Sequence, residues 1–184
     1  MGSPKALLPA PDGQAFVVRI VRALTGAGIS TTAVVTGSAH DAIAEALGVA
    51  FPGAEMAVRN PDPSRGQLSS LWTGMDVVVH QDTEALLVTL VDVPMLSAAT
   101  VSAVIEAWRR SRAPIVRPAV GPRHGHPVLF DRSLLAELRT APLEAGAKAV
   151  VRRHEARILH VVPPDEGCLR DVDTPEDYQA LRGT

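Results

Sequence analysis

Aromatic side chains make up only 3% of the 184 residues, and the 18 Lys and Arg are slightly outnumbered by 20 Asp and Glu. A chain so poor in rings, with a formal net charge of −2, has neither the stacking platform nor the basic stripe that a polymeric nucleic acid requires. Cysteine is nearly missing as well. The lone Cys168 excludes an internal disulfide framework and fits a reducing, cytoplasmic compartment. No apolar run approaches the length of a membrane span, and the first apolar stretch, "FVVRIVRAL", is broken by Arg19 and Arg22, unlike a signal-peptide core. With nucleic acid and membrane set aside as partners, 46% hydrophobic residues remain to close one core, and one domain over residues 1–184 is expected.

What is present is an alternation of two periodicities. Phe16, Val17, Ile20, Val21 and Leu24 keep helical spacing, and "TTAVVTG" reads as a β-branched strand. A helix over residues 39–47, a strand at "EMAVRN" and an amphipathic helix marked by Leu68, Leu71, Trp72 and Met75 follow. "ALLVTLVDV" is the one continuous apolar strand. Val101, Val104, Ile105 and Trp108 mark the next helix, and "APIVRPAV" and "HPVLF" two further strands. Strand and helix in alternation indicate an α/β layer fold with a mostly parallel sheet covered on both faces. In such a sheet the most apolar strand is the most buried, which places residues 86–91 at the centre. Ligands bind outside the carboxyl ends of central strands, and Asp92 stands at that end.

An acid there suits a turn, and it equally suits a hard cation. Ser97 is the better N-cap for the helix that follows, which leaves Asp92 without a structural task. In "LRDVDTPEDY", Thr174 as N-cap, Pro175 as first helical residue and Asp177 three past the cap account for a helix start but leave Asp171 and Asp173 unexplained. Two alternating acids facing Asp92 would be a carboxylate site for Mg²⁺. In "MGSPKALLP", Gly2 and Pro4 shape a turn that Lys5 follows, and a lysine there is either solvated surface or a point charge for phosphate. "NPDPSRGQLSSLWTG", residues 60–74, is a polar loop running into a helix whose first N–H groups are free to meet a ligand. In "GPRHGHPVLF", His124 and His126 are too few for a transition-metal site, and a shaped loop with one histidine toward substrate is the preferred reading.

In this order the pieces "MGSPKALLP", "NPDPSRGQLSSLWTG", "LVDVPML", "GHPVLF" and "DVDTPEDY" resemble the MobA-like nucleotidyltransferases, in particular the molybdenum cofactor cytidylyltransferase branch. The resemblance implies a Rossmann-like three-layer α/β/α fold and Mg²⁺-dependent transfer of a nucleoside monophosphate to a phosphorylated acceptor such as the molybdopterin cofactor, with release of pyrophosphate. CTP is the favoured donor and GTP the alternative. It implies that Gly2 and Lys5 hold the triphosphate and that Asn60, Gly66, Ser69, Ser70 and Gly74 line the base side. Asp92 and Asp173 would hold the metal, Lys5 and Asp92 would be the catalytic pair, and His126 would face the acceptor. A molybdoenzyme or a chaperone would be the protein partner. Three other readings stay open: a guanylyltransferase of the same fold, a heterocycle-acting relative grouped with oxidoreductases, and a non-catalytic nucleotide-binding protein. Members of the family carry an apolar strand and a glycine-rich turn ahead of this first element. The resemblance therefore implies a functional gene product that starts upstream of Met1, and a gap in the sheet of the 184 residues.

Overall fold

The computed structural model describes residues 4–183. A short 3-10 turn at Lys5–Leu7 precedes α1 (Phe16–Gly26), β1 (Val34–Thr36), α2 (His40–Ala50) and β2 (Ala57–Arg59). Then come α3 (Gln67–Val78), β3 (Ala85–Val88), α4 (Ala98–Ser111), β4 (Ile115–Val120), β5 (Arg123–His124) and β6 (Val128–Asp131). The helices α5 (Leu135–Thr140) and α6 (Ala147–Arg153), strand β7 (Ile158–Val161) and helix α7 (Pro175–Arg182) complete it. The starts of α4 and α7 are set as their sequences imply. Ser97 Oγ accepts from Thr100 N–H at 3.1 Å, and Thr174 and Asp177 form a reciprocal capping box in front of Pro175.

Two sheets form. β1 and β2 pair in parallel, while the larger sheet runs β3-β6-β4-β5 with β7 parallel to β4. β6 enters antiparallel between β3 and β4, so the larger sheet is mixed. The period of two along β4 divides the core. Ile115 points to one face with Leu68, Met75, Phe130, Leu138 and Val150, and Val116 to the other with Val104, Trp108 and Leu129. Helices α3, α5 and α6 thus cover one face and α4 the other, giving three layers. A further cluster, with Val17, Val21, Ile43 and Leu47, holds α1 and α2 together beside the smaller sheet.

Two expectations change here. The apolar run ends as a strand at Val88, because Val93 N–H turns back to the Leu90 carbonyl and Pro94 follows. β3 is also not central, since it pairs with β6 alone. Among the described residues no strand pairs with both β1 and β3, so each has one edge without a strand partner. The hydroxyls of Thr32 and Thr89, one before β1 and one after β3, are buried without a hydrogen-bond partner. No helix among the described residues is long and apolar enough to cross a membrane.

Candidate functional site

Asp92 lies in a turn past the end of β3, and the backbone of residues 92–94 is held from two sides. Val172 N–H donates to the Asp92 carbonyl at 2.7 Å, and Arg19 of α1 donates through Nε to the Pro94 carbonyl at 2.9 Å. That first bond brings the 171–173 segment against the Asp92 turn. The Asp92 Oδ1 atom is buried and has no hydrogen-bond partner. Leaving a buried acceptor unmade costs about 1–3 kcal/mol, more if it is charged.

The charges around it explain its state. Burial pushes the Asp92 carboxyl above its ordinary value, and repulsion from Asp171 and Asp173 adds to this, while Lys5 and His126 pull the other way. Burial likewise pushes the His126 imidazole below its ordinary value. A hydrogen bond to the Val88 backbone and the charges of Asp92 and Asp171 oppose that shift without reversing it. The Nδ1 of this neutral ring is also buried and unpaired. Asp171, Asp173, Lys5 and His126 thus all lie near enough to Asp92, past the carboxyl end of β3, for their charges to act on it.

Lys5 and Asp173 meet directly, with Nζ 2.8 Å from Oδ1. Each is placed by its own local structure. Lys5 opens the 3-10 turn that Leu7 N–H closes onto the Pro4 carbonyl, and Ala6 beside it is buried against α1 and α2. The Asp173 N–H donates to Asp177 of the capping box at 3.1 Å, which leaves its carboxylate free to face Lys5. Tyr178 of α7 ties the two chain regions together by donating to the Pro9 carbonyl at 3.0 Å. Gly2 lies outside the described residues.

The 60–74 segment forms a separate polar cluster. The buried Asn60 donates through Nδ2 to Ser69 Oγ at 2.9 Å and Ser70 Oγ at 3.0 Å, while its Oδ1 accepts from Asp62 N–H. Its own N–H bonds to the Thr36 carbonyl at the end of β1. Asn60 thus fastens the loop between β2 and α3. Gly66 has φ of 84°, a conformation that favours glycine, and so permits the turn into α3. Gly74 lies against β1, where a Cβ would come 3.1 Å from Val35 Cγ2. The structure brings Lys5, Asp92, His126 and Asp173 together and groups Asn60, Gly66, Ser69 and Ser70 apart from them.

Two residues that fix the site have no motif of their own. Arg19, on the polar side of α1, clamps the Pro94 carbonyl. Asp165 accepts from Ser97 Oγ at 2.5 Å, Thr100 Oγ1 at 3.2 Å and Gly167 N–H at 3.0 Å, pinning the segment before Asp171 to the start of α4. An acid six residues ahead of a D-x-D gives no sequence signal for either contact.

The three-layer α/β arrangement is that of the Rossmann-like nucleotidyltransferases. The chain belongs to the family of the MobA-like NTP transferase domain, which it matches over residues 1–158. Asp171 and Asp173 lie beyond that stretch. Among solved structures, Rv0371c of Mycobacterium tuberculosis H37Rv in complex with manganese is similar, with 26% identity and a TM-score of 0.70, over 100% of this chain and 94% of that one. A nucleotidyl transferase from Methanothermobacter thermautotroptrophicus gives 22% identity and a TM-score of 0.78, over 97% and 83%. CMP:2-keto-3-deoxy-manno-octonic acid synthetase complexed with CTP gives 19% and 0.68, over 97% and 90%. The last two show the fold. Comparison with curated protein sequences finds no match.

Proposed function

We propose that this chain transfers CMP from CTP to a small phosphorylated acceptor, of which the molybdopterin cofactor is the favoured case, with Mg²⁺ as cofactor. The carrying observation is the Lys5–Asp173 ion pair beside the unpaired, buried Oδ1 of Asp92. An acceptor phosphate oxygen would attack the α-phosphorus as the bond to the β-phosphate oxygen breaks, and pyrophosphate leaves with that electron pair. Lys5 would exchange Asp173 for the triphosphate and stabilise the charge that develops on it. Asp92 and the released Asp173 would hold the metal, whose chemistry is to neutralise phosphate oxygens.

The donor set fits such a group. Among the described residues no three His, Cys, Asp or Glu side chains are gathered to hold an ion by themselves, and Mg²⁺ typically takes one or two carboxylates with substrate phosphates and waters. The manganese complex of Rv0371c supports a divalent ion, and the CTP complex of the octonic acid synthetase is in keeping with a nucleoside triphosphate as donor on this fold. Asn60, Gly66, Ser69, Ser70 and Gly74 would shape the base side, and neutral His126 would face the acceptor. Gly2 would lie at the triphosphate. Nucleoside triphosphates are cytoplasmic metabolites, so we place the reaction there, with a molybdoenzyme or a chaperone as recipient of the product. A pyrophosphate-release screen over the four nucleoside triphosphates, with Mg²⁺ or Mn²⁺ and candidate acceptors, tests this. Release with CTP and a phosphorylated pterin is expected, and no release with any pair would leave a nucleotide-binding protein.

A further inference from the structure

On the sheet face away from α4, three side chains able to carry positive charge stand together. Parallel pairing sets His160 of β7 beside Arg117 of β4, and antiparallel pairing sets His124 of β5 beside Ala119. Residues 117 and 119 share a face by the period of two, and with only a methyl group at Ala119 the two imidazoles meet. Their rings stack with centroids 5.0 Å apart and planes at 22°. Both histidines are exposed. Arg117 is half-buried, and its Nε is buried without a hydrogen-bond partner. Glu155 is the acid whose charge reaches Arg117. Adjacent Arg123 is already paired, with Glu166 at 2.8 Å.

Such a grouping is self-repelling. Burial, then Arg117 and His124, push the His160 imidazole below its ordinary value. An oxyanion would supply what the cluster lacks: an acceptor for the unpaired Nε–H and charge for the rest. The cluster is also tied to the segment that leads on to Asp171 and Asp173. Gly125 donates to the Pro118 carbonyl and His126 N–H to the Cys168 carbonyl, both at 3.0 Å, and a Cβ on Gly125 would come 2.2 Å from Cys168 O. His124 and His126 are two residues apart, so their Cα atoms are separated by at most about 7 Å.

We propose that Arg117, His124 and His160 form an oxyanion platform that binds a second anionic group of the acceptor, one remote from its reacting phosphate. This rests on the nucleotidyl-transfer reading and narrows it to acceptors carrying two anionic groups. The test is titration of the full chain with inorganic phosphate, followed by histidine ring NMR signals. Saturable shifts at His124 and His160 are expected, weakened at least about tenfold in Arg117→Ala, since a charged hydrogen bond is lost. Single His124→Asn and His160→Asn variants, at exposed positions that folding tolerates, should each weaken binding, and Glu155→Gln should strengthen it. No saturable shift, or equal affinity in all variants, overturns the platform. In the transfer assay His160→Asn should raise KM for the acceptor and leave KM for the triphosphate unchanged. An unchanged acceptor KM overturns the assignment to the acceptor. Intact phosphate binding with no transfer to any acceptor overturns the transfer reading and leaves the platform standing.

Discussion

Lys5 and Asp173 are 168 positions apart in the chain and 2.8 Å apart in space. The groups proposed for triphosphate and for metal neutralise one another, in a form that a metal–triphosphate complex would separate. Lys5 is the more enclosed partner, with 27% of its side chain exposed against 65% for Asp173, so Asp173 has the greater freedom to turn toward a cation.

Asp92→Asn keeps the shape of the side chain and removes its charge, so nucleotidyl transfer should be nearly abolished. The ionised carboxylate is disfavoured by burial, and the variant should therefore melt no lower than wild type at neutral pH. Mg²⁺ or Mn²⁺ should raise the melting temperature of the wild type and not of the variant. Undiminished turnover in saturating metal would remove Asp92 from the mechanism.

Lys5→Ala should cost about 10²–10³ in rate if Lys5 stabilises charge on the transferring phosphate as an oxyanion donor does. The pair itself is largely exposed, and such pairs contribute about 1 kcal/mol or less, so the urea midpoint should hardly move. A loss of stability with full activity would reduce Lys5 to a surface lysine.

The same variant should bind free Mn²⁺ up to about fivefold more tightly than wild type, because Asp173 no longer has a competing partner. It should bind the metal–triphosphate complex less tightly. Isothermal titration of both ligands separates the two signs, and parallel changes would contradict the proposed role of the pair.

Gly125→Ala and Gly167→Ala should each destabilise by about 1–3 kcal/mol or more. A Cβ at Gly125 would meet Cys168 O, and one at Gly167 would meet Met95 O, both at 2.2 Å. Neither backbone oxygen can turn aside as a side chain would. Denaturant melts measure the loss, and a neutral result at Gly125 would mean that the His124–His126 segment is not held as described.

Glu137 provides a pH test away from the site. Hydrogen bonding to His154, together with Arg153, holds its carboxyl below the ordinary range. Its contribution is then present above the unfolded carboxylate value and is lost as pH falls through the depressed folded value. Wild type should exceed Glu137→Gln in stability at neutral pH, and the difference should close in strong acid.

Much of the fold was legible because periodicity carries it. The helix of residues 16–26 and the caps at Ser97 and Thr174 declare themselves in local spacing. Helices α5 and α6, of six and seven residues, are too short for a period to show, and "ILHV" has a histidine in place of an apolar residue, so β7 escapes as well. The place of β3 in the sheet is decided by the antiparallel return of β6, a fact of pairing that no local pattern contains. At the candidate site, Asp92, Asp171 and Asp173 stand out in the sequence because no helix cap uses their side chains. The Lys5–Asp173 contact and the His160–Arg117 register were not legible, because both join distant segments.

The bond from Val172 to the Asp92 carbonyl has a consequence for the timing of synthesis. Residues 92 and 172 are 80 positions apart, and closing so long a loop carries an entropic cost that only tertiary packing can repay. On the ribosome, the three layers can begin to pack while the segment after β7 is still in the exit tunnel. Asp92 then has neither Asp171 nor Asp173 near it, and Lys5 has no partner. On the proposed reading, a nascent chain at that stage would lack two of the acids that face Asp92, so any capacity for a metal–triphosphate complex would arrive only with the emergence of the 171–173 segment.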